Sequence, residues 1–311
     1  MSVDDEDLSL GDVFQEPARP ATPPPTVTIY HRKNTISQSS HPSWTSIELQ
    51  LVGHHVLWAQ HLWNASVVLA DFLDSHSTDL CTDKSVLELG AGGALPSLVA
   101  ALCGAQKVVI TDYPDAPLVE NITHNVDRNI DGDKRAAIKV EGYVWGTDPK
   151  RLLGPLSSDN RHAYAPDSEA DRTDDGFDVI ILSDLIFNHS QHAALLDTCE
   201  AALRPSTRSS PYTKKHTMAD VNFRDQRDSG LEDSASLDEA LTCPCVLVFF
   251  SHHRPQYAAR DLEFFALAQS RGWMCEKVLE TKMPAMFPND PGDEEVRSTV
   301  HGWILRQPVQ R

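Results

Sequence analysis

Residues 84–97 read KSVLELGAGGALPS, and this stretch decides the fold. Residues 86–89, apolar apart from Glu88, have the composition of a short buried strand, and a glycine-rich turn follows them at Gly90. Apolar residues then recur at helical spacing, and Pro96 suits the first turn of a helix because its missing N–H would have no partner there. The stretch therefore predicts a strand, a loop and a helix, an arrangement in which backbone N–H groups can lie against a ligand.

Strands and helices alternate from this stretch onward. The hydrophobic pattern predicts strands at 85–89, 107–112, 137–144, 177–183 and 244–251. It predicts helices at 95–103, 115–127, 190–203 and 256–271. Two last strands, 273–281 and 298–307, follow without a helix between them. The predicted fold is α/β: a Rossmann-like, seven-stranded, mostly parallel sheet with a C-terminal antiparallel hairpin and helices on both faces.

The chain is organised as one domain with polar additions. Residues 1–26 are acidic and then proline-rich, which is typical of a disordered tail. The domain spans 27–311, and it begins with a predicted strand pair and a helix before the sheet. Two polar stretches, at about 155–175 and 205–241, contain few large apolar residues, and we interpret them as disordered surface insertions.

The composition limits the partners and the compartment. The chain carries 27 Lys and Arg against 45 Asp and Glu, a formal net charge of −18. Such an acidic surface argues against nucleic acid or an anionic membrane as the main partner. The six cysteines form no CxxC pair, which favours free thiols in a reducing compartment. No apolar stretch is long enough to span a membrane, and the acidic N-terminus does not resemble a secretory signal. We expect a cytoplasmic monomer, with the nucleus left open.

Glu88 and two glycines form an acidic–x–Gly–x–Gly pattern at the end of the first strand of the sheet. A dinucleotide fingerprint would need a third glycine where Leu95 stands, and the Gly-Lys-Ser/Thr ending of a Walker A loop is absent. An unpaired carboxylate at the end of a buried strand is costly. Glu88 therefore either accepts a hydrogen bond from a cationic amino group of a ligand or makes a salt bridge or a cap.

Asp112 ends the second strand of the sheet. It follows Gly90 by about 20 residues, the spacing at which an acidic residue accepts hydrogen bonds from ribose hydroxyls in such folds. The alternative is a cap for the following helix, but Asp115 can fill that place. We therefore favour ribose binding for Asp112.

Two further strand ends carry candidate ligand contacts. Trp145 follows the third strand, where an aromatic ring can lie beside an adenine or pack in the core. The fourth strand ends in Ser183 and Asp184, at the edge where α/β folds bind ligands. Asp184 and Phe187 either frame the place of a reacting amine or serve strand-end solvation and packing.

Histidines follow the fourth and fifth strands without the spacing of a metal site. His189 and His192 follow one strand, His252 and His253 follow the other, and the H-E-x-x-H motif is absent. We therefore expect no metal. The histidines stay candidates for substrate contact because they lie at the same predicted edge. Ser97 lacks a G-x-S-x-G context, which argues against nucleophilic hydrolysis.

Four motifs, taken in order, resemble the seven-strand S-adenosylmethionine-dependent methyltransferases: E-x-G-x-G after the first strand, an acid after the second, Trp-Gly after the third and Asp-x-x-Phe after the fourth. Residues 184–187 resemble the Asp-x-x-Tyr/Phe motif of the family-16 lysine methyltransferases. The chain more closely resembles a fungal group in that family, the protein N-terminal and lysine N-methyltransferases that act on translation elongation factor 1-alpha. The matching stretches are 57–65, 88–96, 111–115, 184–189 and 252–255.

The resemblance implies S-adenosylmethionine as the cofactor and a protein amine as the substrate. It implies cofactor contacts at Trp63, Gly90, Ala91, Gly92, Asp112, Trp145 and Ser183, and we add Glu88 because of its place at the end of the strand before the loop. Asp112 would hold the ribose and Trp145 the adenine end, while Asp184 and Phe187 would line the amine channel. The implied partner is elongation factor 1-alpha, through its N-terminal α-amine, an adjacent lysine or both. Two alternatives stay open: methylation of a small amine such as nicotinamide, and a cofactor-binding module without turnover that engages a partner through 205–241.

Overall fold

A computed structural model describes residues 23–33, 44–154, 176–205 and 241–308. The predicted disordered tail, 1–26, and insertions, about 155–175 and 205–241, lie outside the described ranges except at their margins. The predicted end of the tail is wrong by one residue, because Thr26 already belongs to the first strand. None of the helices within those ranges is long and apolar enough to cross a membrane.

Seven strands form the main sheet, and a separate antiparallel pair precedes them. The pair is β1 (Thr26–His31) and β2 (Ser46–Leu51). The sheet consists of β3 (Ser85–Leu89), β4 (Lys107–Asp112), β5 (Ile138–Gly142), β6 (Val179–Ser183), β7 (Cys245–Ser251), β8 (Met274–Lys282) and β9 (Thr299–Arg306). Their order is β5-β4-β3-β6-β7-β9-β8, in which β9 runs antiparallel to the other six strands. The predicted mostly parallel sheet with a terminal antiparallel hairpin is confirmed.

Helices cover both faces of the sheet. In chain order they are α1 (Asn64–Ser75), α2 (Ser77–Leu80), α3 (Leu95–Leu102), α4 (Ala116–Asn129), α5 (Gly132–Ala136), α6 (Lys150–Leu153), α7 (His192–Ala202), α8 (Ala258–Ser270) and α9 (Glu294–Arg297). Successive strand residues point to opposite faces, so Val86 packs in the core with α1, α3 and α4, and Leu87 in the core with α7 and α8. The short helices α2, α5, α6 and α9 were not predicted, because four or five residues are too few to show a helical period.

Asparagines of α4 hold the β1–β2 pair in place. Asn125 accepts from the Gln50 N–H at 2.8 Å and donates to the Gln50 carbonyl at 2.9 Å. Asn129, one turn further along, makes the same two bonds to Glu48 at 3.0 and 2.8 Å. These amides satisfy backbone groups that the edge strand β2 would otherwise leave free. They also fix the start of the segment 52–63, which leads from β2 toward the candidate site.

The direction in which successive strands are added to the sheet changes between β5 and β6. Strands β3, β4 and β5 lie successively toward one edge, whereas β6 lies on the other side of β3. The carboxyl ends of β3 and β6 therefore form the topological switch point, where open α/β sheets bind ligands. The loops after β3, β4, β6 and β7 meet at this edge.

Candidate active site

The loop after β3 turns at Gly90, and only glycine fits there. Its φ is +63°, and a Cβ would lie 2.7 Å from Leu185 Cδ2 and 3.1 Å from Trp145 Cζ2. Because Leu185 follows β6 and Trp145 follows β5, the loop contacts the turns after two other strands. The predicted strand 137–144 ends earlier, at Gly142, which leaves Trp145 in the turn.

Gly92 and Asp112 are joined directly. The Gly92 N–H donates to Asp112 Oδ2 at 2.7 Å, and the Tyr113 N–H donates to Oδ1 at 2.7 Å. Burial raises the pKa of Asp112, and these two hydrogen bonds oppose the rise. A Cβ at Gly92 would meet no atom of the described residues within 4 Å, so open space lies beside this glycine. A carboxylate oxygen accepts more than one hydrogen bond, so Asp112 keeps capacity for ribose hydroxyls.

Glu88 lies beneath the loop with no exposed surface. Its Oε2 accepts from the Ser97 N–H at 3.1 Å, in the first turn of α3. This contact satisfies one of the N–H groups that a helix leaves free at its start, so the Glu88 side chain acts as a cap. Glu88 Oε1 and the Ser97 hydroxyl have no partner among the described residues. Burial raises the pKa of Glu88 to about 8, although the nearby polar groups of Ser97 oppose the rise.

We expect Glu88→Gln to change how stability depends on pH. Between the ordinary pKa of 4.5 and the folded value of about 8, the folded protein keeps a proton on Glu88 that the unfolded chain releases. The stabilising contribution is therefore complete below pH 4.5 and is lost as the pH rises through about 8. The loss amounts to about 1.4 kcal/mol per pH unit. The neutral amide of the variant still accepts from Ser97, so its free energy of unfolding should fall less steeply with pH.

Urea unfolding at several pH values measures this difference. The control is Glu120→Gln, which removes an exposed carboxylate from α4 and should leave the pH dependence of wild type unchanged. If the curves for wild type and Glu88→Gln run parallel, the raised pKa is contradicted.

Asp184 follows β6 in a left-handed conformation, with a φ of +59°, which is a costly conformation for a residue other than glycine. Its N–H donates to the Phe249 carbonyl at 2.7 Å and ties the turn to β7. Asp184 Oδ2 lies 2.8 Å from His253 Nε2, whereas Oδ1 makes only a long contact of 3.4 Å to the Ser251 N–H. Burial lowers the pKa of His253, but the Asp184 carboxylate outweighs burial and raises this pKa above its ordinary value. An imidazole–carboxylate pair thus lies at the switch point.

Trp63 lies against the ring of His253. It precedes α1, and its ring centroid lies 4.7 Å from that of His253 and 6.0 Å from that of Phe287. Ser183 ends β6, and its hydroxyl is buried without a hydrogen-bond partner in the described part of the chain. A buried polar atom without a partner is costly. Its presence at a strand end therefore favours a polar ligand atom at this place.

The expectation that Asp115 caps α4 is wrong. Asp115 directly precedes the helix, yet within the described ranges its side chain makes no capping hydrogen bond. Its Oδ2 lies 2.9 Å from His55 Nε2 instead. The segment 52–63 brings His55 there because Val52 packs in one small apolar cluster with Leu118 of α4.

The predicted site residues lie along the carboxyl edge of the sheet. They border the loops after β3 and β6: Trp63, Glu88, Gly90, Ala91, Gly92, Asp112, Trp145, Ser183 and Asp184. Phe187 belongs to the loop after β6 but is 46% exposed. Sequence reasoning missed Leu185 and Phe287, which no pattern marks, while His253 carried only the signal of a histidine after a strand. The roles of these residues stay predictions.

Exposed apolar side chains form a rim along this edge. They come from the segment before α1 and from the stretches after β4, β5, β6 and β7: Val56, Leu57, Trp58, Tyr113, Val144, Phe187 and Tyr257. Trp58 links this apolar rim to the site because its ring lies 6.4 Å from that of Phe287. Groups of exposed apolar side chains are typical of surfaces that bind another molecule.

The fold and the site together define a class of protein. A glycine turn after the first strand of the sheet, a carboxylate at the end of the next strand and a ligand edge at the switch point belong to Rossmann-like enzymes that bind a nucleoside cofactor. Leu95 in place of the third glycine separates this chain from dinucleotide binders. A family model described as lysine methyltransferase matches residues 48–158.

Relatives cover nearly the whole chain. It is 40% identical over 305 residues to the protein N-terminal and lysine N-methyltransferase EFM7 of Cryptococcus neoformans, with 97% of this chain and 90% of that protein aligned. It is 36% identical over 307 residues to the corresponding efm7 of Schizosaccharomyces pombe, with 98% of each aligned. Among solved structures, TYW2 of Pyrococcus horikoshii in complex with MeSAdo aligns with a TM-score of 0.45 at 13% identity, over 91% of this chain and 72% of that one.

This chain belongs to the lysine methyltransferase family. It is an enzyme, and the predictions of a methyltransferase and of S-adenosylmethionine as its cofactor are confirmed. The described residues fit this cofactor on three observations: the open space beside Gly92, the accepting capacity of Asp112 and the unpartnered hydroxyl of Ser183.

Proposed function

We propose that this methyltransferase modifies a protein amine: the N-terminal α-amine of translation elongation factor 1-alpha, a lysine next to it, or both. The relatives carry the name of protein N-terminal and lysine N-methyltransferases, which supports a protein substrate. The observation that carries the proposal is the position of Asp184: it is only 5% exposed and lies at the switch point, in the loop that also carries Phe187 of the apolar rim. The amine at the end of a lysine side chain or of a protein N-terminus can reach a buried carboxylate while the rest of the protein substrate contacts the apolar rim, since groups of exposed apolar side chains are typical of surfaces that bind another molecule.

In this proposal the cofactor binds mainly to the loops after β3, β4 and β5. When bound, S-adenosylmethionine supplies a methyl group carried on a positively charged sulfur. Asp112 accepts hydrogen bonds from the ribose hydroxyls, and Trp145 lies beside the adenine. Gly92 leaves room for the nucleoside next to Asp112, and Trp63 and Ser183 complete the contacts.

In this proposal the substrate amine binds to Asp184, whose carboxylate also contacts His253. His253 occupies Asp184 Oδ2 at 2.8 Å, so Oδ1, with its long 3.4 Å contact, is the oxygen that accepts from the amine. A carboxylate that holds the nitrogen aligns its lone pair for attack, and such alignment contributes strongly to rate. An α-amine, with an ordinary pKa of about 7.7–8.0, needs little deprotonation near neutral pH, whereas a lysine amine at about 10.4 must lose a proton first. Phe187 and the apolar rim favour the neutral amine, because desolvation disfavours the charged form.

The proposal includes a cytoplasmic location and a monomeric enzyme. The six cysteines are free thiols, and four of them are buried. Free thiols support a reducing compartment, since disulfides persist mainly in oxidising ones.

Mass spectrometry of the elongation factor tests the proposed function. After incubation with the enzyme and isotope-labelled S-adenosylmethionine, we expect the methyl label in the peptide that begins at the N-terminus of the factor. Two control substrates then assign the label: one with an acetylated α-amine and one with the adjacent lysine replaced by arginine. Loss of label from the first assigns it to the α-amine, and loss from the second assigns it to the lysine.

Two other results would contradict this proposal. Label on nicotinamide, with none on the elongation factor, would favour the small-amine alternative. Calorimetric binding of S-adenosylmethionine, with no label transferred to any protein of a lysate, would favour a binding module without turnover.

A further inference from the structure

Asp261 contacts two of the loops that form the candidate site. It lies in the first turn of α8, and only 4% of its surface is exposed. Its Oδ1 lies 2.7 Å from His189 Nε2, and its Oδ2 lies 2.7 Å from His252 Nδ1. An ionised carboxylate only accepts hydrogen bonds, so both of these imidazole nitrogens must carry a proton. One buried side chain thus orients two imidazoles.

The two imidazoles belong to the loops that meet at Asp184. His189 lies in the loop after β6, which also carries Asp184, and His252 lies in the loop after β7. The next residue in the chain is His253, whose Nε2 lies 2.8 Å from Asp184 Oδ2. The contacts therefore form a closed ring, from Asp184 through His253, His252 and Asp261 to His189 and back along the chain.

Asp261 differs from the other contacts of these loops because it joins both of them to one helix, α8, which follows the loop after β7. The bond between His192 Nε2 and the Ile186 carbonyl, at 2.6 Å, ties the loop after β6 only to its own following helix. The bond between Asp184 and His253 joins the two loops to each other. Asp261 instead anchors both loops to α8, which packs in the core through Phe264.

We propose that Asp261 is a positioning residue for methyl transfer: it holds the loops after β6 and β7 so that Asp184 meets the amine in a productive place. The inference rests on the proposed role of Asp184 in orienting the amine. Asp261 acts through the two imidazoles and not on the substrate. A displacement of about 1 Å in a reacting group can cost about 100-fold in rate, so such an anchor has a large effect from outside the site.

Asp261→Asn tests the inference because it keeps the size of the side chain and removes one acceptor. The amide oxygen accepts from one imidazole, while the amide N–H₂ faces the other, which must switch tautomer or lose its partner. We expect kcat for the peptide amine to fall about 10- to 100-fold, with the Kd for S-adenosylmethionine within about threefold of wild type. Dividing kcat by the number of cofactor-binding sites counted by calorimetry keeps a partly unfolded variant from being mistaken for a slow one.

Two matched variants separate positioning from general stability. Glu263→Gln removes an exposed carboxylate from the same helix and should leave kcat per site unchanged. His189→Gln removes the imidazole that contacts Asp261 Oδ1 and leaves the contact between Asp261 and His252 in place. Combined with Asp261→Asn, it should slow the enzyme by no more than about twofold beyond the slower single variant, since residues that act as one unit are not additive.

A readout that needs no substrate keeps this test separate from that of the proposed function. Nitrogen-15 NMR of the imidazoles should show a tautomer change at His189 or His252 in Asp261→Asn, together with a shifted His253 signal. An unchanged His253 signal, or a kcat per site within about twofold of wild type, would overturn the inference. If wild type methylates no protein amine, the proposed function fails, and the His253 signal still decides whether Asp261 holds the loops.

Discussion

Asp184→Asn is expected to lower kcat for methylation of a peptide amine by about 100-fold or more, because the variant lacks the charged acceptor that orients the nitrogen. Asparagine is the right replacement since Asp184 has a φ of +59°, a conformation that Asn tolerates better than Ala. The Kd for S-adenosylmethionine should stay within about threefold of wild type, since most of the proposed cofactor contacts belong to other loops. Steady-state kinetics with labelled cofactor measure the first quantity, and calorimetry measures the second.

Asp197→Asn is the matched control for Asp184→Asn. Asp197 lies on α7, its side chain is 53% exposed, and it pairs with Arg271 at 2.7 Å away from the candidate site. The same chemical change there should leave kcat and Kd at wild-type values. Full turnover by Asp184→Asn would show that the amine is oriented by another group. A loss of cofactor affinity equal to the loss of kcat would assign Asp184 to the cofactor instead.

The fold could be predicted because its signals are local. Val86 and Leu87 are both apolar since both faces of β3 are covered, so the strand appears in the sequence as a mainly apolar run that only Glu88 interrupts. Gly90 marks the end of that run, and Pro96 lies in the first turn of α3 as its chemistry requires. A short helix such as α5 could not be predicted in this way, because its five residues bury no side chain and therefore show no hydrophobic periodicity.

The site could be predicted only in part, since the sequence marks strand ends but not which side chains meet. Asp112 was found because its spacing from the glycine loop is a property of the fold class. Its neighbour Asp115 was misassigned, because a capping rule is local and His55 arrives from 60 residues earlier in the chain. Asp261 was missed for the same reason: in the sequence it is an acid at the start of a helix, and His189 lies 72 residues away. Long-range pairs of this kind depend on packing that no local pattern records.

Gly90, Gly92 and Gly132 all have left-handed backbone conformations, but among the described residues a Cβ would meet other side chains only at Gly90. Alanine variants at these positions therefore distinguish the cost of the backbone conformation from the cost of a steric clash. The φ angles are +63° at Gly90, +54° at Gly92 and +58° at Gly132, so alanine at each position costs about 1–2 kcal/mol for the same steric reason. Gly90→Ala adds a collision with Leu185 and Trp145, at 2.7 and 3.1 Å. Overpacking adds about 1–3 kcal/mol, so we expect the free energy of unfolding to fall by about 2–5 kcal/mol. Cofactor affinity should fall about tenfold, because Trp145 must shift by a few tenths of an ångström from its proposed place beside the adenine.

Gly92→Ala, compared with Gly132→Ala, then tests where the cofactor lies. Neither new Cβ meets an atom of the described residues within 4 Å, so denaturation should show about the same loss of stability for both variants. The space beside Gly92 differs in one respect, because it adjoins Asp112, whose Oδ2 accepts the Gly92 N–H at 2.7 Å. If the ribose occupies that space, the added methyl group should raise the Kd for S-adenosylmethionine about tenfold or more, while Gly132→Ala leaves it unchanged. Equal Kd values for the two variants would place the nucleoside away from Asp112, and would remove the physical basis for assigning the ribose to this carboxylate.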